Sequence, residues 1–200
     1  MTPRPPRPGL RRRTLLQSLA CLPACLAAGL STPAWAQAAE LTALSVRRED
    51  GEMRLDFAVR LNLPPQVEDA LRLGVPLYFV AEASLYRPRW YWRDERLARV
   101  RRTWRLSFQP LTSSWRVSLG ALSQTFASLS EAVATISAAA GWRLADLSAL
   151  PAGEAFTLQF LYELDTAQLP SPMQIGLGSR ADWELRVERE LPVSATGTTP

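Results

Sequence analysis

Apolar and polar residues alternate with period two along most of the chain, the spacing of strands with one buried face. In MRLDFAVRLNL, residues 53–63, Met53, Leu55, Phe57, Val59 and Leu61 share one face; Arg54, Asp56, Arg60 and Asn62 share the other. Residues 155–164 place Phe156, Leu158, Phe160, Tyr162 and Leu164 together, and residues 114–119 do the same with Trp115, Val117 and Leu119. Residues 182–191 set Trp183, Leu185 and Val187 against Asp182, Glu184, Arg186, Glu188 and Glu190. VPLYFVAEASLY, residues 75–86, is apolar on both sides at its start, as a strand covered on both faces requires. Residues 41–47 read as a first strand, and residues 87–93 and 97–109 as two more joined by a tight turn near Asp94–Glu95. Asp50–Gly51 marks a hairpin turn after the first strand.

Two stretches carry helical punctuation instead. PPQVEDALRLG, residues 64–74, has prolines in the first turn, early acids, a late Arg72 and a closing Gly74. SLSEAVATISAAAG, residues 128–141, opens on a Ser128–Glu131 capping box, lines Leu129, Val133 and Ile136 on one stripe, and places Gly141 at its C-terminal cap. Strands with turn signals and no alternation with helices predict antiparallel pairing. The predicted fold is mainly β: an antiparallel β-sandwich, immunoglobulin-like in general shape, with two short helices in its connections. It is expected to occupy residues 37–192 as one domain, with 193–200 a disordered tail.

The N-terminus departs from this pattern. MTPRPPRPGLRRR is a basic segment, TLLQSLACLPACLAAGL an apolar one, and STPAWA ends in small residues, with Ala34 and Ala36 at the −3 and −1 positions. This is the layout of a signal peptide over residues 1–36, cleaved after Ala36. The run RRRTLLQ resembles a twin-arginine leader, and the Sec route stays equally open. Left uncleaved, residues 14–36 are long enough to anchor in a membrane. Cys25 follows LPA, a poor lipobox.

Charge follows the same division. Five of the 23 arginines lie in the first thirteen residues; from residue 37 onward 18 arginines stand against 19 acids, a net charge of −1. The high isoelectric point therefore belongs to the leader and says little about partners of the folded domain. Both cysteines, Cys21 and Cys25, also fall in the leader, so the expected mature chain has no disulfide and depends on its packed core.

Missing residue types narrow the chemistry. The chain has no histidine and no lysine, and no cysteine after Cys25. Ser-His-Asp triads, imidazole metal sites, thiol catalysis and Schiff-base chemistry all need one of these. No P-loop or dinucleotide fingerprint occurs; GLGSR, residues 176–180, reads as a loop turn. Carboxylates remain, in the pairs Glu49/Asp50, Glu68/Asp69 and Asp94/Glu95. Glycoside hydrolysis needs two acids facing across a cleft, whereas neighbours on a strand face opposite ways and those in a turn are solvated. The expectation is that the protein is not an enzyme and holds no cofactor or metal.

RPRWYWRDERLARVRRTWR, residues 87–105, is the densest local feature, with eight arginines against two acids. Its bland reading is a strand pair whose arginines are solvated or ion-paired to acids of the last strand. Its functional reading is an anion-binding ridge of Arg89, Tyr91, Arg93, Arg99, Arg101 and Arg105, since guanidinium forks suit phosphates and carboxylates. Strand parity puts Arg102 on the apolar face, where a bulge or an ion pair with Glu82 would accommodate it. TAQLPSPMQIGLGSR, residues 166–180, is a second candidate contact, a long proline-containing loop.

The middle of the chain resembles a family of exported proteobacterial proteins known only as a domain of unknown function. The resemblance rests on GVPLYFVAE (74–82), RWYW (89–92), RLSFQPLTSSWRVSLG (105–120), FASLSEAVA (126–134), LDTAQLPSPMQI (164–175) and SRADWEL (179–185). It implies an exported protein and carries over no catalytic residue. The combined expectation is a non-catalytic, periplasmic or otherwise exported binding or accessory module at the cell envelope. Its partner would be an envelope protein or an anionic envelope component. Export argues against nucleic acid, and membrane attachment would come only through an uncleaved leader. The alternative is a carboxylate-based hydrolase acting on envelope glycans.

Overall fold

The computed structural model describes residues 38–89, 91, 94–169 and 183–194. The chain divides into residues 1–35 and 36–200, and all described residues belong to the second unit. In order these are β1 (Ala39–Glu49), β2 (Glu52–Leu61), α1 (Pro65–Arg72), β3 (Leu77–Arg87), β4 (Glu95–Gln109), β5 (Ser114–Leu119), β6 (Leu122–Phe126), α2 (Leu129–Ile136), β7 (Ala138–Asp146), β8 (Phe156–Leu164) and β9 (Arg186–Val193). A three-stranded sheet has the order β1-β2-β7; a six-stranded sheet has the order β6-β5-β4-β3-β8-β9. Every neighbouring pair is antiparallel. The protein is thus the mainly β, two-sheet molecule with two helices that the period-two alternation predicts. Each helix makes a crossover: α1 carries the chain from the small sheet to the large one, and α2 carries it back.

The core lies where the alternating faces meet. Phe57 of β2 stands at its centre, 4.9 Å from the ring of Phe160 and 6.1–6.3 Å from those of Tyr162, Trp142 and Trp104. Met53 and Leu55 join from the small sheet, and Leu77, Phe79, Leu85, Leu106, Phe156 and Leu158 from the large one, all fully buried. Central β3 buries Val80 and Ser84 on its outer side as well, which accounts for its apolar opening. Val67, Ala70 and Leu71 of α1, and Ala132 and Ile136 of α2, extend the same core.

The hairpin turn at Asp50–Gly51 forms as the dipeptide predicts, with φ of 52° and 76°. Positive φ at both positions gives the twist that two antiparallel strands need. Ser128 caps α2 by accepting from the Glu131 N–H.

Four expectations need correction. First, the predicted helix over 128–141 stops at Ile136, and Ala138–Asp146 is β7. Three alanines favour helix locally, but the Ser137 carbonyl accepts from the Val59 N–H at 2.8 Å and the chain then pairs with β2. Second, Gly141 is therefore no helix cap. It sits at a register shift between Leu55 and Phe57 with φ +61°, and its N–H donates to Asp56 Oδ1 at 2.6 Å. Third, the hairpin that contains the arginine-rich stretch is β3–β4. Its ladder closes at Arg87–Glu95, and of the residues between them Pro88, Arg89, Tyr91 and Asp94 belong to no strand, while the others lie outside the described residues. Fourth, the last strand runs over Arg186–Val193, four residues later than 182–191 at its start. Strand β6, which the alternation does not predict, fills a further edge.

Asp56 carries a testable pH dependence. Burial pushes its carboxyl up, but the Gly141 N–H and the Arg47 guanidinium outweigh burial and hold it below the ordinary carboxylate range. A carboxyl depressed by folding contributes stability above its unfolded pKa and loses it as pH falls through the folded value. Asp56→Asn is therefore expected to reduce stability at neutral pH and to flatten the acid-side fall. Urea midpoints measured across the acid range check this; parallel curves for both proteins would show that Asp56 is not coupled to folding.

Candidate functional site

The outer faces of the two sheets differ in how completely their charges are paired. On the small sheet each outward arginine meets a carboxylate: Arg47 with Asp56 at 2.7 Å, Arg54 and Arg143 with Glu52 at 3.1 Å, and Arg60 with Glu40 at 2.6 Å. Charge is neutralised locally there.

On the large sheet the pairing is less complete. Alternation along β4 turns Arg99, Arg101 and Arg105 outward, and cross-strand register sets them beside Ser84, Glu82 and Tyr78 of β3. Arg116 of β5 joins this face beside Ser107. The far side carries Glu163 of β8 and Arg186, Glu188 and Glu190 of β9, where Arg186 pairs with both Glu163, at 2.5 Å, and Glu188. Arg99 reaches Glu82 at 2.7 Å, and that hydrogen bond raises its already high pKa. Arg101 reaches Asp165 at 3.5 Å. Arg116 meets the Gln109 amide oxygen at 3.0 Å, in the amide orientation that turns oxygen toward the guanidinium. Arg105 is exposed and has no carboxylate partner among the described residues.

The remaining arginines of the stretch go elsewhere. Arg87 lies between Glu154 at 2.9 Å and Glu95 at 3.5 Å, and Arg89 pairs with Glu95. Tyr91 is 69% exposed in the β3–β4 connection. Arg93 lies outside the described residues. Arg96 opposes Tyr86 beside a register shift. The six residues singled out from sequence therefore divide: Arg99, Arg101 and Arg105 form one outward row, while Arg89 and Tyr91 sit in the connection beyond its end.

Arg102 does face inward as parity requires, but it pairs with no acid among the described residues. Its guanidinium stacks 4.9 Å from the centre of the Trp142 ring, and Glu82 is taken by Arg99. Burial alone pushes the Arg102 pKa down. Its aliphatic stem shares the core-facing side of β4 and its head meets an aromatic face, a favourable arrangement for a partly buried cation. Sequence reasoning missed this contact because Trp142 lay in a segment predicted to be helical at its start.

Concavity lies apart from the arginine row. An open groove of about 760 Å³ runs between α1, α2 and the end of β2, lined by Ala58, Leu61, Leu63, Leu129 and Val133. Its lining includes one carboxylate, Glu68, which is 3.9 Å from Arg72. Of the other carboxylates paired in sequence, Glu49 and Asp50 stand at the β1–β2 turn and Glu95 is held by Arg87 and Arg89. Among the described residues no three metal-ligating side chains converge. No helix among them is long and apolar enough to cross a membrane. Of the 166–180 segment, Thr166–Gln168 forms a single 3₁₀ turn and Leu169 is buried; the rest lies outside the described residues.

Comparison with known families matches residues 36–191 to the domain of unknown function DUF4390. The chain belongs to the DUF4390 family. This is the family that the motifs from GVPLYFVAE to SRADWEL resemble. No curated protein and no solved structure matches the chain. The DUF4390 match spans both sheets and both helices, and it contains the whole arginine row of β4. The leader-like residues before Ala36 lie outside it.

Proposed function

We propose that this DUF4390 protein is an exported, non-catalytic binding or accessory module at the cell envelope. It uses the outer face of its six-stranded sheet to contact an anionic envelope component or an acidic patch of an envelope protein. The observation that carries this reading is the contrast between the two outer faces. One is neutralised pair by pair. The other aligns Arg99, Arg101 and Arg105 on a single strand and leaves Arg105 without a carboxylate partner among the described residues, while the acids Glu163 and Glu188 across the sheet are held by Arg186. Export rests on the residue pattern of the first 36 positions.

The physical case is one of availability. An exposed ion pair contributes well under ~1 kcal/mol, so Arg99 and Arg101 can exchange Glu82 and Asp165 for an external anion at little cost. Arg105 has no carboxylate among the described residues to give up. Guanidinium groups on alternate positions of one strand repeat about every 7 Å, a spacing that engages several charges of an extended anionic surface together.

Retention of envelope components on wild-type protein and on an Arg99→Ala/Arg101→Ala/Arg105→Ala variant tests this reading. Wild type is expected to retain anionic material in a salt-sensitive manner, and the variant to bind about tenfold more weakly or worse. Equal recovery by both proteins would remove the β4 face from consideration.

A further inference from the structure

We propose that β6 is a self-association edge: two copies pair their β6 strands antiparallel about a two-fold axis at Gln124, joining two six-stranded sheets into one. This inference is independent of the anion-binding reading and stands or falls on different measurements.

The argument starts from the four strand edges among the described residues, β1, β7, β6 and β9. An exposed edge offers unpaired N–H and C=O groups to any other strand, and proteins discourage this with charges, prolines and bulges. β1 carries Glu40, Arg47, Arg48 and Glu49. β7 carries Arg143 and Asp146 and is distorted by a register shift at its pairing with β2. β9 carries Arg186, Glu188, Arg189 and Glu190, and Pro192 removes one donor. β6 reads LSQTF, with neither charge nor proline, and its pairing with β5 has no register shift. The absence of charge extends from Val117 through Ser130. Four of its five residues are exposed, and Leu122 is 74% exposed. Among the described residues, shortness is the one protection of this edge.

The strand is also complementary to itself. The β5–β6 hairpin has a two-residue turn, Gly120–Ala121, with Leu119 opposite Leu122 and Gly120 at φ +58°. Residues flanking a two-residue turn form a hydrogen-bonded pair, and such pairs alternate along the ladder. Leu122, Gln124 and Phe126 therefore bond inward to β5, and the backbone groups of Ser123 and Thr125 face outward. A dyad at Gln124 sets Ser123 against Thr125 of the second copy, and Thr125 against Ser123. The outward-facing donors and acceptors then meet each other. In the same register Leu122 lies beside Phe126 of the second copy on one face, and the hydroxyl residues share the other.

Charge does not oppose the pairing. The nearest arginine on the outer face is Arg116, opposite Thr125 on β5. The β5 strands of two copies joined through β6 lie three strand spacings apart, about 14 Å, beyond a physiological screening length of about 8 Å. Five residues per copy make a small contact, so the dimer is expected in the micromolar range rather than tighter.

Sedimentation and cysteine cross-linking of the full chain test the proposal. Wild type is expected to sediment as a concentration-dependent dimer. Thr125→Pro removes an outward N–H without touching the β5–β6 ladder, and is expected to sediment as a monomer with an unchanged circular dichroism spectrum. Independently, Gln124→Cys in a Cys21→Ser/Cys25→Ser background places two thiols across the dyad. A non-hydrogen-bonded pair has a Cα separation of about 4.5 Å, within disulfide range. Mild oxidation should cross-link this variant rapidly. Leu122→Cys, which faces Phe126 of the second copy rather than itself, should cross-link slowly. A wild-type chain that stays monomeric at every concentration, or equal cross-linking of the two cysteine variants, would overturn the proposal.

Discussion

Replacing Phe57 by alanine is expected to destabilise the domain by about 3–5 kcal/mol, the range for deleting a buried aromatic side chain. Phe57 is 2% exposed. It projects from the central strand of the small sheet onto Phe160 and Tyr162 of β8 and Trp104 of β4, with Trp142 of β7 at its flank. Its ring thus meets both layers at once. An alanine there leaves a void lined by four rings that belong to four separate backbone positions, and these cannot all close over it. The loss combines forfeited transfer energy with an unfilled cavity. In a domain of this size the melting temperature should fall by about 10 °C. Phe108→Ala is the comparison. Phe108 packs on Trp115 at 4.8 Å, away from the centre and only partly buried, and its loss should be clearly smaller. Urea unfolding of both variants measures the difference. Equal losses would mean that the two sheets do not share the core described here.

Ile136→Ala is expected to cost about 2–5 kcal/mol, and the loss should be felt in α2 and the strands beneath it. Ile136 is fully buried at the last position of α2, and its carbonyl accepts the buried Tyr162 hydroxyl at 3.1 Å. Alanine keeps that carbonyl and removes the anchor. A helix of eight residues has little stability of its own, so α2 depends on the face it buries. It also links the end of β6 to the start of β7, the point where the chain changes sheets. Amide exchange should therefore accelerate in α2, β6 and the N-terminal half of β7, while central β3 and β8 stay protected. A uniform loss of protection would show that α2 is no separate cooperative unit.

Much of the architecture was legible because it is local. The alternation in β2, β5 and β8 is fixed by side chains two residues apart, so each strand and its buried face could be read directly. The turn at Asp50–Gly51 and the Ser128 cap are likewise properties of a few adjacent residues. The failures were all non-local. AAAG after Ser137 favours helix until β2 supplies backbone partners. β6 shows little alternation because it lies at an edge with most of its side chains in solvent. Arg87 to Arg93 looked like a strand because aromatic and basic residues alternate there, yet the partner of β4 was already present in β3.

The candidate site divided in the same way. That arginines would line one face of 97–109 followed from parity. Which of them are neutralised did not, because the answer lies in residues as remote as Asp165, 64 positions beyond Arg101. The stacking of Arg102 on Trp142 needed the two sheets to be superposed.

By itself the sequence determined that the protein is built from half-buried antiparallel strands, that its charge imbalance sits in the first residues, and that histidine, lysine and thiol chemistry have no place in the folded domain. Composition and period-two spacing are carried by each short segment, whatever surrounds it. Only the tertiary structure decided which strands are neighbours, which arginines meet a described carboxylate, and which described strand lies at an edge with neither charge nor proline. Those outcomes depend on register between segments distant in the chain, and register is an energy of pairs that no single segment contains.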